Sequence, residues 1–102
     1  MTTGMIVVFI TTPTATMARF IGKKLLHENL AKCVNVVPVT SFFVWKGKHE
    51  EQNEHLLIAK TTESKFLALE RRVKQLHTYE VPEIIAIPVV KASKEYLEWM
   101  KS

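Results

Sequence analysis

The sequence lacks the features that would link it to a membrane or to an oxidising compartment. Its single cysteine, Cys33, cannot form a disulfide within the chain, which fits a reducing compartment. The apolar stretch at residues 5–10 is much too short to span a bilayer and lacks the layout of a signal peptide. We therefore expect a cytoplasmic protein without a membrane segment.

The chain also lacks a strong excess of one charge. It has 14 Lys and Arg against 10 Asp and Glu, which gives a net charge of +4. The basic residues are scattered, and no basic run is longer than the pairs at 23–24 and 71–72. Nucleic acid is therefore not an expected partner.

Signatures of catalysis are missing as well. The sequence contains no G-x-S-x-G, no glycine-rich phosphate loop and no metalloprotease helix motif. Glu80 and Glu83 could act as an acid–base pair, but no nucleophile or cofactor motif accompanies them. We expect a protein that is not an enzyme and has no organic cofactor.

A chain of 102 residues has room for one domain. We expect this domain over residues 5–102, after a flexible lead-in at residues 1–4. Residues 6–11 are apolar and β-branched and predict a central strand. Thr12 is expected to cap the following helix, with Pro13 in its first position. Gly22 lies inside this helix, which indicates close packing on the sheet.

The middle of the chain predicts a long hairpin. Residues 33–45 have the composition of a strand, and Pro38 is expected to divide it into two pieces. Lys46 and Gly47 form the best hairpin turn, with a looser turn at 50–53 as the alternative. The return strand is polar on both faces in its first half. We therefore expect it to project as an arm that is solvated or held by another subunit.

The second half repeats the pattern of helix and strand. An amphipathic helix is predicted over residues 66–76. Its N-cap is expected to be one of three hydroxyl residues, Thr61, Thr62 or Ser64. Residues 84–90 predict a strand buried on both faces, and Pro88 indicates a sheet edge or a bulge. Ser93 is expected to cap a short last helix.

This order of elements predicts an α+β fold, a ferredoxin-like βαββαβ sandwich with a short C-terminal helix. Both crossover helices would cover one face of a four-stranded antiparallel sheet. The other face keeps more apolar and aromatic residues than a solvated surface usually carries, so we expect a homo-oligomer. These residues are Val36, Phe42, Phe43, Trp45 and Ile58.

The loop at residues 77–83 concentrates groups that can bind a metal. His77 and Glu83 lie close in sequence, Glu80 is a further candidate, and Cys33 could approach in space. Copper and zinc sites use imidazole, thiolate and carboxylate ligands, usually four in number. The set is partial, and a neighbouring subunit could complete it. The structural alternative stays open: His77 would cap a helix C-terminus, and Cys33 would be a small buried apolar residue.

Several segments together resemble one known family. They are 9–13 (FITTP), 33–38 (CVNVVP), 41–47 (SFFVWKG), 54–62 (EHLLIAKTT), 77–83 (HTYEVPE), 87–89 (IPV) and 96–99 (YLEW). In this order they are similar to the CutA family of divalent-cation tolerance proteins. The resemblance implies a homotrimer in which the long hairpin strands pair across subunits, and a role in divalent cation tolerance, copper above all. Phe42, Phe43 and Trp45 would then lie in the trimer interface.

Two departures from the family pattern concern the candidate site. Thr78 stands where the family commonly has proline after the histidine, which implies a less rigid loop. Members for which copper binding is proposed carry a further histidine and cysteine where this chain has Leu76 and Ile10. Any metal site here is therefore expected to be poorer in ligands.

A second function follows from a different resemblance. Trimers of ferredoxin-like subunits resemble the PII signalling proteins, which bind nucleotides in clefts between subunits. By this analogy the protein would sense a nucleotide or a metabolite. The residues expected to line the cleft are Lys60, His77, Tyr79 and Glu80.

Overall fold

A computed structural model describes residues 3–102 of the chain. The strands are β1 (Met5–Thr12), β2 (Cys33–Trp45), β3 (Lys48–Thr62) and β4 (Ile84–Pro88). The helices are α1 (Ala15–His27), α2 (Phe66–Leu76) and α3 (Lys94–Lys101), and a 3₁₀ turn (Glu63–Lys65) precedes α2. The sheet is antiparallel in the order β2-β3-β1-β4. The predicted α+β arrangement, with its short C-terminal helix, is confirmed.

The core lies between the sheet and the helices α1 and α2. Alternate residues of β1 and β3 point into it, because successive side chains of a strand face opposite sides of a sheet. The fully buried members include Val8, Ile10, Ile21, Leu25, Leu57, Leu69 and Val73. Gly22 faces the sheet as expected, because a Cβ at this position would lie 3.4 Å from Val34 Cγ1.

The start of α1 differs from the prediction. Thr12 remains in β1, where its hydroxyl donates to the carbonyl oxygen of His55 at 2.9 Å. The helix is capped by Thr14 instead, whose side chain accepts a hydrogen bond from the Met17 N–H at 3.1 Å. Pro13 therefore precedes the cap. The strand pairing of Thr12 with His55 outweighs its local preference for a cap.

The hairpin turn is the one predicted at Lys46 and Gly47. Both residues have positive φ, 51° and 78°, as a two-residue turn of type I′ requires. Trp45 pairs directly with Lys48, so the alternative turn at 50–53 is wrong. The expected division of β2 is also wrong, because the strand runs unbroken through Pro38. Since β2 is an edge strand, the missing N–H of Pro38 can face outward.

The start of α2 has no side-chain cap. Thr62 occupies the N-cap position of the 3₁₀ turn, but its hydroxyl pairs with that of Ser64 at 3.2 Å. The chain enters the helix through the 3₁₀ turn, and none of the three predicted hydroxyl residues caps it. The cap predicted for α3 is confirmed, because the Ser93 side chain accepts from the Tyr96 N–H.

The strand β4 is shorter and more exposed than predicted. It lies at the sheet edge, as Pro88 indicated, and pairs only with β1. The prediction that it is buried on both faces is wrong for the single chain, since Ile85 and Ile87 are each about half exposed. Both belong to the sheet face opposite the helices. We call this surface the open face; it also carries Phe9, Val37, Phe43, Trp45 and Ile58. The expectation that Val36 and Phe42 lie on this face is wrong, because Val36 pairs with the core residue Leu57 and alternation places Phe42 on the same side as Val36.

The expected lead-in lies partly outside the described residues, which begin at Thr3. The Thr3 hydroxyl donates to the carbonyl oxygen of Val89 at 2.8 Å, so this residue is held beside the end of β4. Within residues 3–102, none of the helices is long and apolar enough to cross a membrane.

Candidate functional site

The loop at residues 77–83 is fixed at its start by His77. The residue is the C-cap of α2, and its backbone N–H donates to the Val73 carbonyl oxygen at 2.8 Å. Its ring Nδ1 accepts from the Tyr79 N–H at 3.0 Å. Nε2 must therefore carry the proton that it donates to the Thr11 carbonyl oxygen at 2.7 Å. The imidazole is neutral in this arrangement, and neither ring nitrogen has a free lone pair for a metal.

Tyr79 ties the same loop to β3. Its hydroxyl donates to Glu54 Oε2 at 2.6 Å, and the Glu54 side chain belongs to a residue that is only 4% exposed. Burial raises the pKa of Tyr79 well above its usual range, and the hydrogen bond and negative charge of Glu54 add to this effect. Tyr79 therefore stays a neutral donor to this carboxyl group.

Glu83 brings a second carboxyl group to the same place. Its pKa is raised, first because nearby protein removes water from it, and second because of the negative charge of Glu54. The ion pairs among residues 3–102 involve Glu28, Glu70 and Glu80, and neither Glu54 nor Glu83 takes part in one. The site thus holds two acidic groups without a cationic partner in the described chain.

Two adjoining cavities open beside these carboxyl groups on the open face. The first has a volume of about 290 Å³, and the second about 470 Å³. They share four lining residues, Phe43, Trp45, Tyr79 and Val81. Glu80 lines the first, and Glu54 and Glu83 line the second. We call the two together the aromatic cleft. No lysine or arginine is among the described residues that line it.

The structure does not bring the three predicted metal ligands together in one subunit. Cys33 pairs with Lys60, which pairs with Val7 of β1, whereas His77 binds β1 at Thr11. Val7 and Thr11 are four residues apart on β1, which corresponds to about 13 Å along the strand. Within the part of the chain that the structure describes, no group of three or more His, Cys, Asp or Glu is placed to hold a metal.

One of the predicted cleft residues, Lys60, lies apart from the others. Lys60 is six residues from Glu54 along β3, about 20 Å away, and its Nζ donates to Asn35 Oδ1 at 2.5 Å. It therefore does not line a cleft with Tyr79 in one subunit. Glu80 does line the cleft, at its rim, where its carboxylate pairs with Lys46 Nζ at 3.6 Å.

The aromatic residues predicted for an interface are uncovered in the single chain. Phe42 is 73% exposed, and Phe43 and Trp45 are each 38% exposed. Residues 39–54 are the part of the β2–β3 hairpin that extends beyond β1, and we call this part the arm. All three aromatic residues lie on the arm and line the aromatic cleft. The cleft and the surface expected to meet another subunit are therefore continuous.

Glu54 is the site residue that the sequence did not single out. It stands in a run of polar residues, so its role in the site could not be recognised from its neighbours in sequence. The signal that could have found it is its alternation with Leu56 and Ile58, which places all three on the same face of β3. An acidic residue in that row had to be either solvated or matched by a donor.

The fold and the site define a ferredoxin-like α+β protein with a long two-stranded arm and an acidic, aromatic cleft beside it. The sequence profile of the family described as CutA1 divalent ion tolerance protein matches residues 6–102. The chain therefore belongs to this family, as the motifs predicted.

Two prokaryotic relatives are similar over almost their whole length. The divalent-cation tolerance protein CutA of Thermus thermophilus is 49% identical over 96 residues, which is 93% of each chain. The CutA protein of Archaeoglobus fulgidus is 43% identical over 93 residues, or 91% of each. The solved structure of the Archaeoglobus fulgidus protein matches with a TM-score of 0.93 at 41% identity, covering 95% of each chain. The solved structure of CutA1 from Oryza sativa matches with a TM-score of 0.93 at 42% identity, covering 98% of this chain and 93% of that chain.

Proposed function

We propose that the chain forms a non-enzymatic homotrimer that binds divalent cations where its subunits meet. The observation that carries the proposal is that the carboxyl groups of Glu54 and Glu83 line the same cavity, where neither takes part in an ion pair among residues 3–102. Two acidic groups without a cation are unfavourable neighbours, and a bound cation would relieve them. The names of the relatives, divalent-cation tolerance proteins, point to the same class of ligand.

The exposed surfaces support assembly into a ring. The edge strands of the sheet are β2 and β4, which present unpaired backbone groups. Because the two edges differ, pairing β2 of one copy with β4 of the next is a head-to-tail contact, which gives a ring when the rotation between copies closes and a filament when it does not. Assembly of this kind would also cover the apolar residues of the open face, such as Phe43 and Ile85. Three copies is the number that the family resemblance implies.

The donors of one subunit do not fit copper. Copper favours imidazole and thiolate ligands, but both nitrogens of His77 are engaged and Cys33 lies at another part of the sheet. The groups that do converge are carboxyl groups and a phenol. Oxygen donors of this kind suit hard cations such as Mg²⁺ and Mn²⁺. Copper binding would need imidazole or thiolate from a neighbouring subunit.

Calorimetric titrations with Mn²⁺, Zn²⁺ and Cu²⁺ test the cation site. We expect Mn²⁺ to bind the wild type, and both Glu83→Gln and Glu54→Gln to weaken it at least tenfold. Glu28→Gln is the matched control, because this glutamate lies on another surface and pairs with Arg72. Wild-type protein that binds none of the three metals would overturn the proposal, as would equal affinities in all variants. Identical copper isotherms for wild type and His77→Ala would exclude His77 as a ligand.

A second candidate function is the sensing of a small ligand in the manner of the PII proteins. The aromatic cleft favours it, because pockets of several hundred Å³ with aromatic walls and a few polar groups are typical ligand sites. Native mass spectrometry of the protein isolated from a cell extract tests this candidate directly. A retained nucleotide or metabolite would support it, and protein that carries only metal would favour the first candidate.

A further inference from the structure

We infer that the outer side of α1 binds an acidic segment of another protein. The surface consists of Arg19, Lys23 and His27, which are all exposed, and we call these three residues the basic row. The helices cover the sheet face opposite the open face. Copies of the chain that cover the open face would therefore leave the basic row accessible, and the inference goes beyond the cation site proposed above.

The excess positive charge of the chain is concentrated on the two crossover helices. Residues 13–31 and 63–76, which contain α1 and α2, hold seven Lys and Arg against three Glu, and the rest of the chain holds seven of each. The helical layer therefore carries the whole net charge of +4. A surface that concentrates one sign of charge attracts partners of the other sign.

Within α1 this charge has no acidic counterpart. None of the 13 residues of the helix is Asp or Glu. Arg19 and Lys23 take part in no ion pair among residues 3–102. The next acid along the chain, Glu28, is engaged by Arg72, whose Nε–H donates to its carboxylate at 2.9 Å. The carboxylates of a partner would thus meet cations that the described chain does not already pair.

The stability of the helix does not explain the basic row. Its three residues follow one another at intervals of four, which makes their side chains neighbours on one side of the helix. The like charges of Arg19 and Lys23 are destabilising at this spacing. The opposite side of the helix, with Ile21 and Leu25, packs on the sheet. A role in binding accounts for a row of cations that the fold itself does not use.

The spacing of the basic row fits an extended acidic chain. Four residues of an α-helix rise about 6 Å, and alternate residues of an extended chain are about 6.6 Å apart. Carboxylates at every second position of such a segment can therefore meet the three residues of the row in turn. Arginine and lysine both form charge-assisted hydrogen bonds with carboxylates. The intervening side chains point away, so the convex side of a helix needs no cavity to bind the segment.

Phe20 provides an apolar contact beside the basic row. Its side chain is 46% exposed, and the Lys24 ammonium group lies 5.7 Å from the centre of its ring. An apolar side chain next to the carboxylates of the partner would cover the part of the ring that is still exposed. We therefore expect the acidic segment to contain an apolar residue as well.

Two other anionic partners fit this surface less well. Single-stranded nucleic acid binds by stacking several bases on aromatic rings, but Phe20 is the only Phe, Tyr or Trp of α1 and Lys24 lies over its ring. A flat anionic membrane would contact the whole helical layer, including the acids Glu63 and Glu70 of its second half. A narrow acidic segment contacts the row alone.

Fluorescence anisotropy with a labelled peptide tests the inference. The probe is a fluorescein-labelled peptide of about 12 residues, long enough to span the row, in which glutamate alternates with threonine and one central threonine is replaced by phenylalanine. A second peptide has glutamine in place of every glutamate. We expect the full-length protein to bind the acidic peptide saturably, and more weakly as salt is added. Failure to bind the acidic peptide, or equal binding of both peptides, would overturn the inference.

Variants locate the binding surface. Arg19→Gln combined with Lys23→Gln should weaken the acidic peptide about fivefold, because two exposed ion pairs are lost. Arg71→Gln combined with Lys74→Gln, on α2, lowers the net charge by the same amount and should change the affinity little. Equal losses in the two double variants would show attraction to the net charge alone and would overturn the inference.

The melting temperature of the α1 double variant shows that a weaker affinity does not come from unfolding. Glutamine favours a helix about as well as arginine and lysine do, and the variant removes a repulsive pair. We therefore expect a melting temperature equal to or above that of the wild type. A clear decrease would mean that the row stabilises the fold, which contradicts the argument for binding.

Two further probes test the class of partner. Vesicles of phosphatidylserine and phosphatidylcholine, and a single-stranded oligouridylate, are titrated with the wild type and with the α1 double variant. If either binds through the basic row while the acidic peptide does not, the row is a binding surface but the inferred partner is wrong. Glu83→Gln, at the aromatic cleft, should leave the affinity for the acidic peptide unchanged. A loss in this variant would place the peptide in the cleft and overturn the inference, whereas Mn²⁺ calorimetry tests the proposed cation site independently.

Discussion

The Tyr79 hydroxyl and the Glu54 carboxyl group are joined by a hydrogen bond of 2.6 Å, although 25 residues separate them in sequence. The bond attaches the loop between α2 and β4 to the point where the long arm leaves the body of the sheet. It positions the aromatic ring against the cleft and satisfies a buried acid. The loop, the arm and the cleft therefore form one structural unit.

Removing the hydroxyl should loosen this unit. In Tyr79→Phe the buried Glu54 loses its donor, and hydrogen bonds to charged groups contribute about 1.5–3 kcal/mol. We expect the free energy of unfolding in urea to fall by about this amount, and hydrogen exchange to accelerate in residues 77–83. Tyr96→Phe, on α3, is the control and should change little. Equal stability of both variants would contradict the assigned role of the bond.

The ring of His77 should exist as one neutral tautomer. The Tyr79 N–H requires an acceptor at Nδ1, and the Thr11 carbonyl oxygen requires a donor at Nε2. Long-range ¹⁵N–¹H correlation spectra of the imidazole at neutral pH should show the proton on Nε2. His77→Ala should lower the free energy of unfolding by about 1–3 kcal/mol, since it leaves both backbone groups without their partner. A proton on Nδ1 would contradict the hydrogen-bond assignment.

Gly22 should accept alanine but not a larger residue. The added Cβ would meet Val34 Cγ1 at 3.4 Å, an ordinary contact distance, and alanine favours a helix by about 1 kcal/mol over glycine. Gly22→Ala should therefore be neutral or raise the melting temperature. Gly22→Val should lower the free energy of unfolding by about 1–3 kcal/mol, because its methyl groups overpack the core.

Lys23→Val is the control for helix propensity, because it places the same β-branched residue at an exposed position of the same helix. It should cost much less than Gly22→Val. Equal losses of stability in the two valine variants would show that the close contact with Val34 is not responsible.

The link between the two helices should depend on pH. Arg72 binds Glu28 through Nε–H at 2.9 Å and through a second N–H at 2.9 Å, which holds the pKa of that carboxyl group below its usual range. A lowered pKa in the folded state stabilises the protein above the carboxyl pKa of the unfolded chain. This contribution is lost as the pH falls through the pKa of the folded state.

Melting temperatures of Glu28→Gln and wild type should therefore differ at pH 7 and converge at acidic pH. The variant should be the less stable protein at pH 7, by a small amount, because the pair lies at the surface. Arg71→Ala, which lies on the exposed side of α2, should show no such convergence. A difference that persists unchanged at low pH would assign the effect to packing.

Local patterns predicted the elements well and the long-range contacts less well. The turn at Lys46 and Gly47 followed from the positive φ that glycine can adopt, and the antiparallel sheet followed from the order of elements. Thr12 was expected to be a cap, but pairing with His55 keeps it in β1. No local pattern reports such a partner, since it lies 43 residues away.

The candidate site illustrates the same limit. The loop containing His77, Tyr79 and Glu83 could be found because these polar residues stand together before a core strand. The hydrogen bond between Tyr79 and Glu54 could not be predicted, because it depends on the register between distant strands. Cys33 was grouped with His77 by residue chemistry alone, and the register of β2 on β3 places it about 13 Å away along the sheet.

Sedimentation equilibrium at micromolar concentration tests the central proposal most directly, namely that copies of the chain cover the open face and place the aromatic cleft between them. We expect a particle of three times the subunit mass of 11.7 kDa, which persists on dilution. A charge introduced in the open face, as in Phe43→Glu, should shift it toward smaller species, whereas Leu67→Glu on the exposed side of α2 should not. A compact wild-type monomer of 11.7 kDa at the same concentration would show that no other copy covers the open face.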